Sequence, residues 1–166
     1  MIGKYVQGRV YVFIDAANLE SSLKELGWFM DYRKLYEYFK NNTDLGGIRY
    51  YCVRFDVENQ DKFFTVLKHI GFELITKKLK TIRRGGGRKA NFDVEIALDA
   101  YSFLSKYDSL VLFSGDSDFD YLVKLLREKG KRVVVVSTRY HISRELIERC
   151  NKYIDLRKLR DVFERC

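Results

Sequence analysis

The sequence holds no proline, only two histidines and only three cysteines in 166 residues. Two histidines exclude a histidine-rich zinc site, and His69 and His141 fall in or near expected helices, where neither needs a catalytic role. Cys52, Cys150 and Cys166 are scattered, with none of the close pairs of a metal knuckle or a redox motif, so buried or idle thiols are expected. No apolar run approaches the roughly 18 residues that cross a bilayer. The opening Met1-Ile2-Gly3-Lys4-Tyr5 lacks the apolar core of a signal peptide. The expected setting is therefore cytoplasmic, with no membrane partner. No Gly-x-Gly-x-x-Gly follows the first strand-like run, which argues against a dinucleotide-binding domain. Gly85-Gly86-Gly87 lacks the lysine and serine or threonine of a phosphate loop. Nothing in the sequence explains the missing proline.

Acids are absent from one stretch as well. Between residues 77 and 89 the chain carries seven cations, Lys77, Lys78, Lys80, Arg83, Arg84, Arg88 and Lys89, and no carboxylate. The formal net charge is +8, so everything else carries only about +1. The basicity is one local patch on a nearly neutral body. Such a patch attracts phosphate backbones and makes binding salt-dependent. A solvated hairpin has the same composition. The three glycines inside it give a loop able to close over a bound strand.

What is present describes one folded domain spanning 1–166. Hydrophobic residues make up 46% and charged residues 33%, ordinary for a globular chain and unlike a disordered one. Strands are expected at Arg9 to Ile14, Ile48 to Phe55, Phe72 to Ile82, Ser109 to Phe113 and Arg132 to Val136, with a short one at Lys152 to Leu156. Gly46-Gly47 reads as a break before the second. Helices are expected at Ala17 to Leu26, from Asp31 onward with Leu35, Tyr38 and Phe39 inward, and at Asn59 to His69 with Phe63, Val66, Leu67 and Ile70 inward. Further helices are expected from Asn91 or Asp93 with Ile96, Ala97, Ala100 and Leu104 inward, at Ser117 to Lys129, at Glu145 to Cys150 and over the tail from Leu156 to Arg165. Strands separated by helices imply βαβ units. The expected fold class is α/β, a three-layer α/β/α sandwich with a mostly parallel central sheet.

In an open parallel sheet, ligands sit beyond the carboxyl ends of the strands. Two of the best strands run there into acids, Ile14-Asp15-Ala16-Ala17-Asn18 and Phe113-Ser114-Gly115-Asp116-Ser117-Asp118-Phe119. Asp93 lies at a helix start just after the basic stretch, and Asp99 follows on that helix. Mg²⁺ and Mn²⁺ favour hard oxygen ligands, and a cation is the natural way to hold repelling carboxylates together. Such a cation lowers the pKa of a bound water and neutralises charge on a phosphoryl group. An acidic floor beside a basic loop therefore suits phosphodiester chemistry. Singly, each residue has a local explanation. Asp15 suits a turn or N-cap, Asn18 a backbone partner, and Ser117 with Asp120 a capping arrangement. Asp93 and Asp118 suit a first helical turn, and Asp99 a solvent face.

Three blocks carry a resemblance. Phe13-Ile14-Asp15-Ala16-Ala17-Asn18-Leu19, then Lys89-Ala90-Asn91-Phe92-Asp93-Val94-Glu95-Ile96-Ala97-Leu98-Asp99, then Ser114-Gly115-Asp116-Ser117-Asp118-Phe119 resemble the signature blocks of NYN domains, in the right order and spacing across nearly the whole chain. The LabA-like branch is the most similar. The resemblance implies a PIN-like fold and Mg²⁺- or Mn²⁺-dependent ribonuclease chemistry on RNA, single strands foremost. It implies Asp15, Asp93 and Asp116 as principal metal ligands, Asp118 as a further acid and Asn18 as an orienting group. Asp99 matches an additional acid of the second block, and Lys89 opens that block beside the phosphates. The alternative is a non-catalytic RNA-binding module on the same fold. Asp116-Ser-Asp118 is also similar to the DxD of TOPRIM or HAD-type phosphotransfer domains. HAD enzymes, however, place that pair after the first strand, where this chain has Asp15-Ala-Ala, and TOPRIM wants a glutamate there. Of the 12 tyrosines, Tyr36, Tyr38, Tyr50 and Tyr51 are candidates for stacking on bases or for joining two copies as a homodimer.

Overall fold

A computed structural model describes residues 1–55, 57–79 and 90–166. Among them, six strands form one sheet: β1 (Arg9–Asp15), β2 (Asp44–Arg54), β3 (Glu73–Lys78), β4 (Ser109–Phe113), β5 (Arg132–Ser137) and β6 (Lys152–Asp155). The spatial order is β3-β2-β1-β4-β5-β6 and every neighbouring pair is parallel. Parallel neighbours need crossovers, which the helices α1 (Ala16–Leu26), α2 (Tyr32–Asn42), α3 (Glu58–Ile70), α4 (Asp93–Ser102), α5 (Asp120–Glu128) and α6 (Arg144–Arg149) supply. A last short helix, α7 (Arg160–Phe163), closes the chain. The class is α/β, as the alternation of strand and helix patterns implies.

Two cores flank the sheet because side chains alternate along each strand. Val10, Val12 and Ile14 of β1, Val111 and Phe113 of β4, and Val134 and Val136 of β5 point to one face. There they meet Leu19 and Leu23 of α1, Leu35 and Phe39 of α2, Phe64 and Leu67 of α3, and Phe163. Phe13, Leu110, Leu112, Val133 and Val135 point to the other, against Ile96 and Ala100 of α4, Leu122, Val123 and Leu126 of α5, and Leu146. Burial on both faces is why β4 and β5 read as unbroken apolar runs rather than alternating ones.

Helix ends follow their caps. The Asp31 carboxylate accepts from the amides of Arg33 and Lys34 and starts α2. Gly27 stops α1 with φ of 71°, and Gly130 follows α5 with φ of 78°. Several expected boundaries differ. α3 turns Phe64 and Leu67 inward and leaves Val66 exposed, so its buried stripe is rotated from the expected one. Ser117–Phe119 is a 3-10 turn, capped by Asp116 rather than by Ser117, and α5 begins only at Asp120. The tail is a 3-10 turn at Leu156–Leu159 followed by α7. Strand β3 ends at Lys78, and the remainder of the expected strand, from residue 80, lies outside the described residues.

Gly46 and Gly47 sit inside β2 instead of breaking the chain ahead of it. The β1–β2 register slips there, with Val10 opposite Leu45 and Tyr11 opposite Gly47, so Gly46 is the extra residue of a bulge. The Tyr11 ring fills the space, and a Cβ on Gly46 would lie 2.5 Å from its Cε2. That ring packs against Phe13, Phe103 and Tyr107 and has little room to withdraw. Gly46→Ala is expected to cost about 1–3 kcal/mol of unfolding free energy in urea, as overpacking typically does. Replacing Tyr11 by leucine in the same chain should recover part of it. A neutral Gly46→Ala would contradict this packing.

Candidate metal centre

The order of the strands decides where the acids meet. From β1 the chain crosses to β2 on one side, and from β4 it crosses to β5 on the other, so the crossovers diverge between β1 and β4. This is the switch point where open α/β sheets hold ligands. Asp15 ends β1 and caps α1, its Oδ1 accepting from the Asn18 amide at 3.4 Å. Ser114, Gly115 and Asp116 leave β4 beside it.

Hydrogen bonds join the two turns. The buried Ser114 hydroxyl donates to Asp15 Oδ2 at 3.2 Å and receives the Asp116 amide at 3.4 Å. Asn18 Oδ1 accepts the Gly115 amide at 3.1 Å. Asp116 Oδ1 in turn accepts the Asp118 amide at 2.9 Å. Gly115 is required sterically. A Cβ there would stand 2.3 Å from the His141 carbonyl oxygen and 2.5 Å from Ser137 Oγ.

Asp93 arrives from the other side, at the first position of α4, where the helix dipole favours a carboxylate. Ligand oxygens of Asp93, Asp116 and Asp118 all lie within 4.8 Å of one another. Asp15 stands beside this trio rather than in it, its oxygens engaged by Asn18 and Ser114, but close enough for its charge to act on Asp93. Among the described residues no lysine, arginine or histidine forms an ion pair with any of the four. Burial, then the charges of Asp116, Asp15 and Asp118, push the Asp93 carboxyl up to about 6. Burial also raises Asp15, with the Asp116 charge adding to it, while the Asn18 and Ser114 hydrogen bonds pull the other way. A cluster of hard oxygen donors with uncompensated charge fits a divalent cation.

Other expected site residues lie elsewhere. Asp99 faces away, paired with Arg49 Nη2 at 3.0 Å and accepting the Tyr51 hydroxyl at 2.8 Å. There it ties α4 to β2 and is not an additional acid of the cluster. Lys77 is engaged with Glu95 Oε1 at 2.7 Å and sits over the Phe92 ring, joining the end of β3 to the start of α4. Lys78 ends β3 exposed. Lys80, Arg83, Arg84, Arg88 and Lys89 lie outside the described residues. Tyr50 and Tyr51 are buried and unable to stack on bases, while Tyr36 and Tyr38 pack partly buried against the core. Ser114 is the residue sequence reasoning passed over; its place between two acid-bearing turns was the available signal. A cleft of about 830 Å³ between α1, α2 and α3 contains none of the four acids.

An NYN domain model matches residues 9–157. The low amplitude and bright protein LabA of Synechococcus elongatus is 36% identical over 164 residues, 95% of this chain and 88% of that protein. A crystal structure of a protein of unknown function from Vibrio parahaemolyticus superposes with a TM-score of 0.82 at 23% identity, covering 97% of this chain and 98% of that one, a likeness of fold.

The raised Asp93 value has a definite sign. The folded chain holds this proton up to about pH 6, whereas the unfolded chain releases it near the usual carboxylate range. The associated stability is therefore complete at low pH and is lost as pH climbs toward 6. At pH 7 without metal, Asp93→Asn is expected to raise Tm by about 2–4 °C, the shift that roughly 1 kcal/mol produces at this chain length. Added Mn²⁺ should raise Tm of the unmodified protein but not of the variant. A variant that melts lower than the parent in chelator would sink this account.

Proposed function

The chain belongs to the NYN domain family, and from that premise we propose that it is a ribonuclease dependent on Mg²⁺ or Mn²⁺, hydrolysing phosphodiester bonds of RNA at its clustered aspartates. The observation that carries this reading is the trio of Asp93, Asp116 and Asp118 with Asp15 beside it, four carboxylates without a basic partner among the described residues. A divalent ion held there supplies charge neutralisation for the phosphoryl group and an activated water.

The chain's own groups prepare that site. Asp93, Asp116 and Asp118 offer the oxygens nearest one another, with Asp15 on the β1 side. Ser114 fixes the Asp15 carboxylate, and the Asp118 amide fixes that of Asp116, so neither depends on a ligand for its orientation. Asn18 commits its carbonyl oxygen to Gly115, which leaves its NH₂ as the donor for a water or phosphate oxygen. Lys78 lies at the end of β3, two strands away from β1, and the basic stretch that follows it supplies charge for flanking phosphates. The Asp93 pKa of about 6 implies ligands that bind metal better as pH rises through that value, with proton release.

The test is cleavage of labelled single-stranded RNA with Mn²⁺ or Mg²⁺ against chelator. Asp116→Asn is expected to cut the rate by more than about 100-fold with the fold retained. Ser114→Ala, which only frees a ligand's orientation, should cost about 10–100-fold. RNA bound without turnover by the unmodified protein, at every metal tried, would leave a binding module as the correct reading.

A further inference from the structure

The turn between β5 and α6, residues 138–143, is packed onto the acid-bearing loop. The Ser143 amide donates to the Gly115 carbonyl at 3.0 Å, and the His141 carbonyl lies against the Gly115 Cα. His141 Nε2 lies 3.1 Å from Glu25 Oε2 of α1, a close approach without hydrogen-bond geometry. On this braced turn Tyr140 stands 61% exposed. The Arg139 guanidinium lies over the ring, 4.7 Å from its centroid, and donates to its hydroxyl. Arg157, just beyond β6 and itself paired with Asp155, also lies near this tyrosine.

From this we propose that Tyr140, backed by Arg139, is a stacking platform for a base of single-stranded nucleic acid, next to the phosphate held at the aspartates. The proposal rests on the nucleic-acid reading of the metal centre. An exposed aromatic with a cation on one face offers its other face to a π-system, and base–aromatic stacking tolerates any base. The turn follows β5, one strand from β4, at the same carboxyl-end rim as the Asp116 loop. It therefore suits a base near the scissile phosphate. Lys78, at the end of β3, lies on the opposite flank, beyond β2. The strand thus crosses the carboxyl-end rim of the sheet, with charge contacts on one side of the acids and a base contact on the other.

The experiment is binding of a short fluorescent single-stranded RNA in chelator, where no cleavage occurs. Tyr140→Ala is expected to weaken affinity by about 5- to 150-fold, the range that loss of one stacked base produces. Tyr140→Phe should bind like the parent. RNAs carrying a single abasic residue at each position in turn locate the contact. At one position the parent should lose as much affinity as the alanine variant, and the variant should lose nothing more. Unchanged binding by Tyr140→Ala overturns the proposal, and so does a loss that is the same for every abasic RNA. Binding that behaves as expected in a protein without metal-dependent turnover would retain this platform while removing the ribonuclease reading.

Discussion

Four like charges share the gap between β1 and β4, and the surrounding structure is arranged around that repulsion. Carboxylates so placed separate unless something holds them, and here backbone amides and hydroxyls do so. The Asp15 and Asp116 side chains each bond to the turn that carries them, and Ser114 and Asn18 bridge the two turns. Burial, and after it the repulsion that remains, appear as the raised Asp93 carboxyl. Under the proposed function, stability and function oppose one another here, because the same crowding that stresses the free protein would give a cation its affinity.

The sheet makes the gathering possible. Each acid lies in a segment that would be unremarkable alone, a strand end, a 3-10 turn and a helix start. Parallel strands bring their carboxyl ends to one rim, and the diverging crossovers leave an opening there. The apolar runs of β4 and β5, buried on both faces, fix that register. Gly115 then lets the β4 loop pass against the β5 turn with no side chain between them.

Much of this was legible in the sequence. The strand and helix order followed from apolar periodicity, and the caps at Asp31, Gly27 and Gly130 marked real ends. The misplaced elements turn on contacts that apolar pattern does not encode, one tertiary and one local. Gly46-Gly47 reads as a break until the Tyr11 ring is placed over it. The helix expected from Ser117 starts three residues late because the Asp116 carboxylate takes the Asp118 amide for a tighter turn. At the site, strand-end position made Asp15 and Asp116 conspicuous. Asp99 was legible only as an acid at helical spacing; nothing local announces Arg49 and Tyr51, some fifty residues earlier, as its partners. The placing of Asp118 with Asp93 depends on the curl of the 3-10 turn, which spacing alone leaves open.

The sheet's two borders have their own significance. β6 is only four residues long and opens with Lys152, and β3, six residues long, finishes on Lys77 and Lys78. Short, cationic borders resist the addition of a foreign strand. A protein whose interior strands are this apolar would otherwise invite edge-to-edge aggregation through a continued ladder of strands.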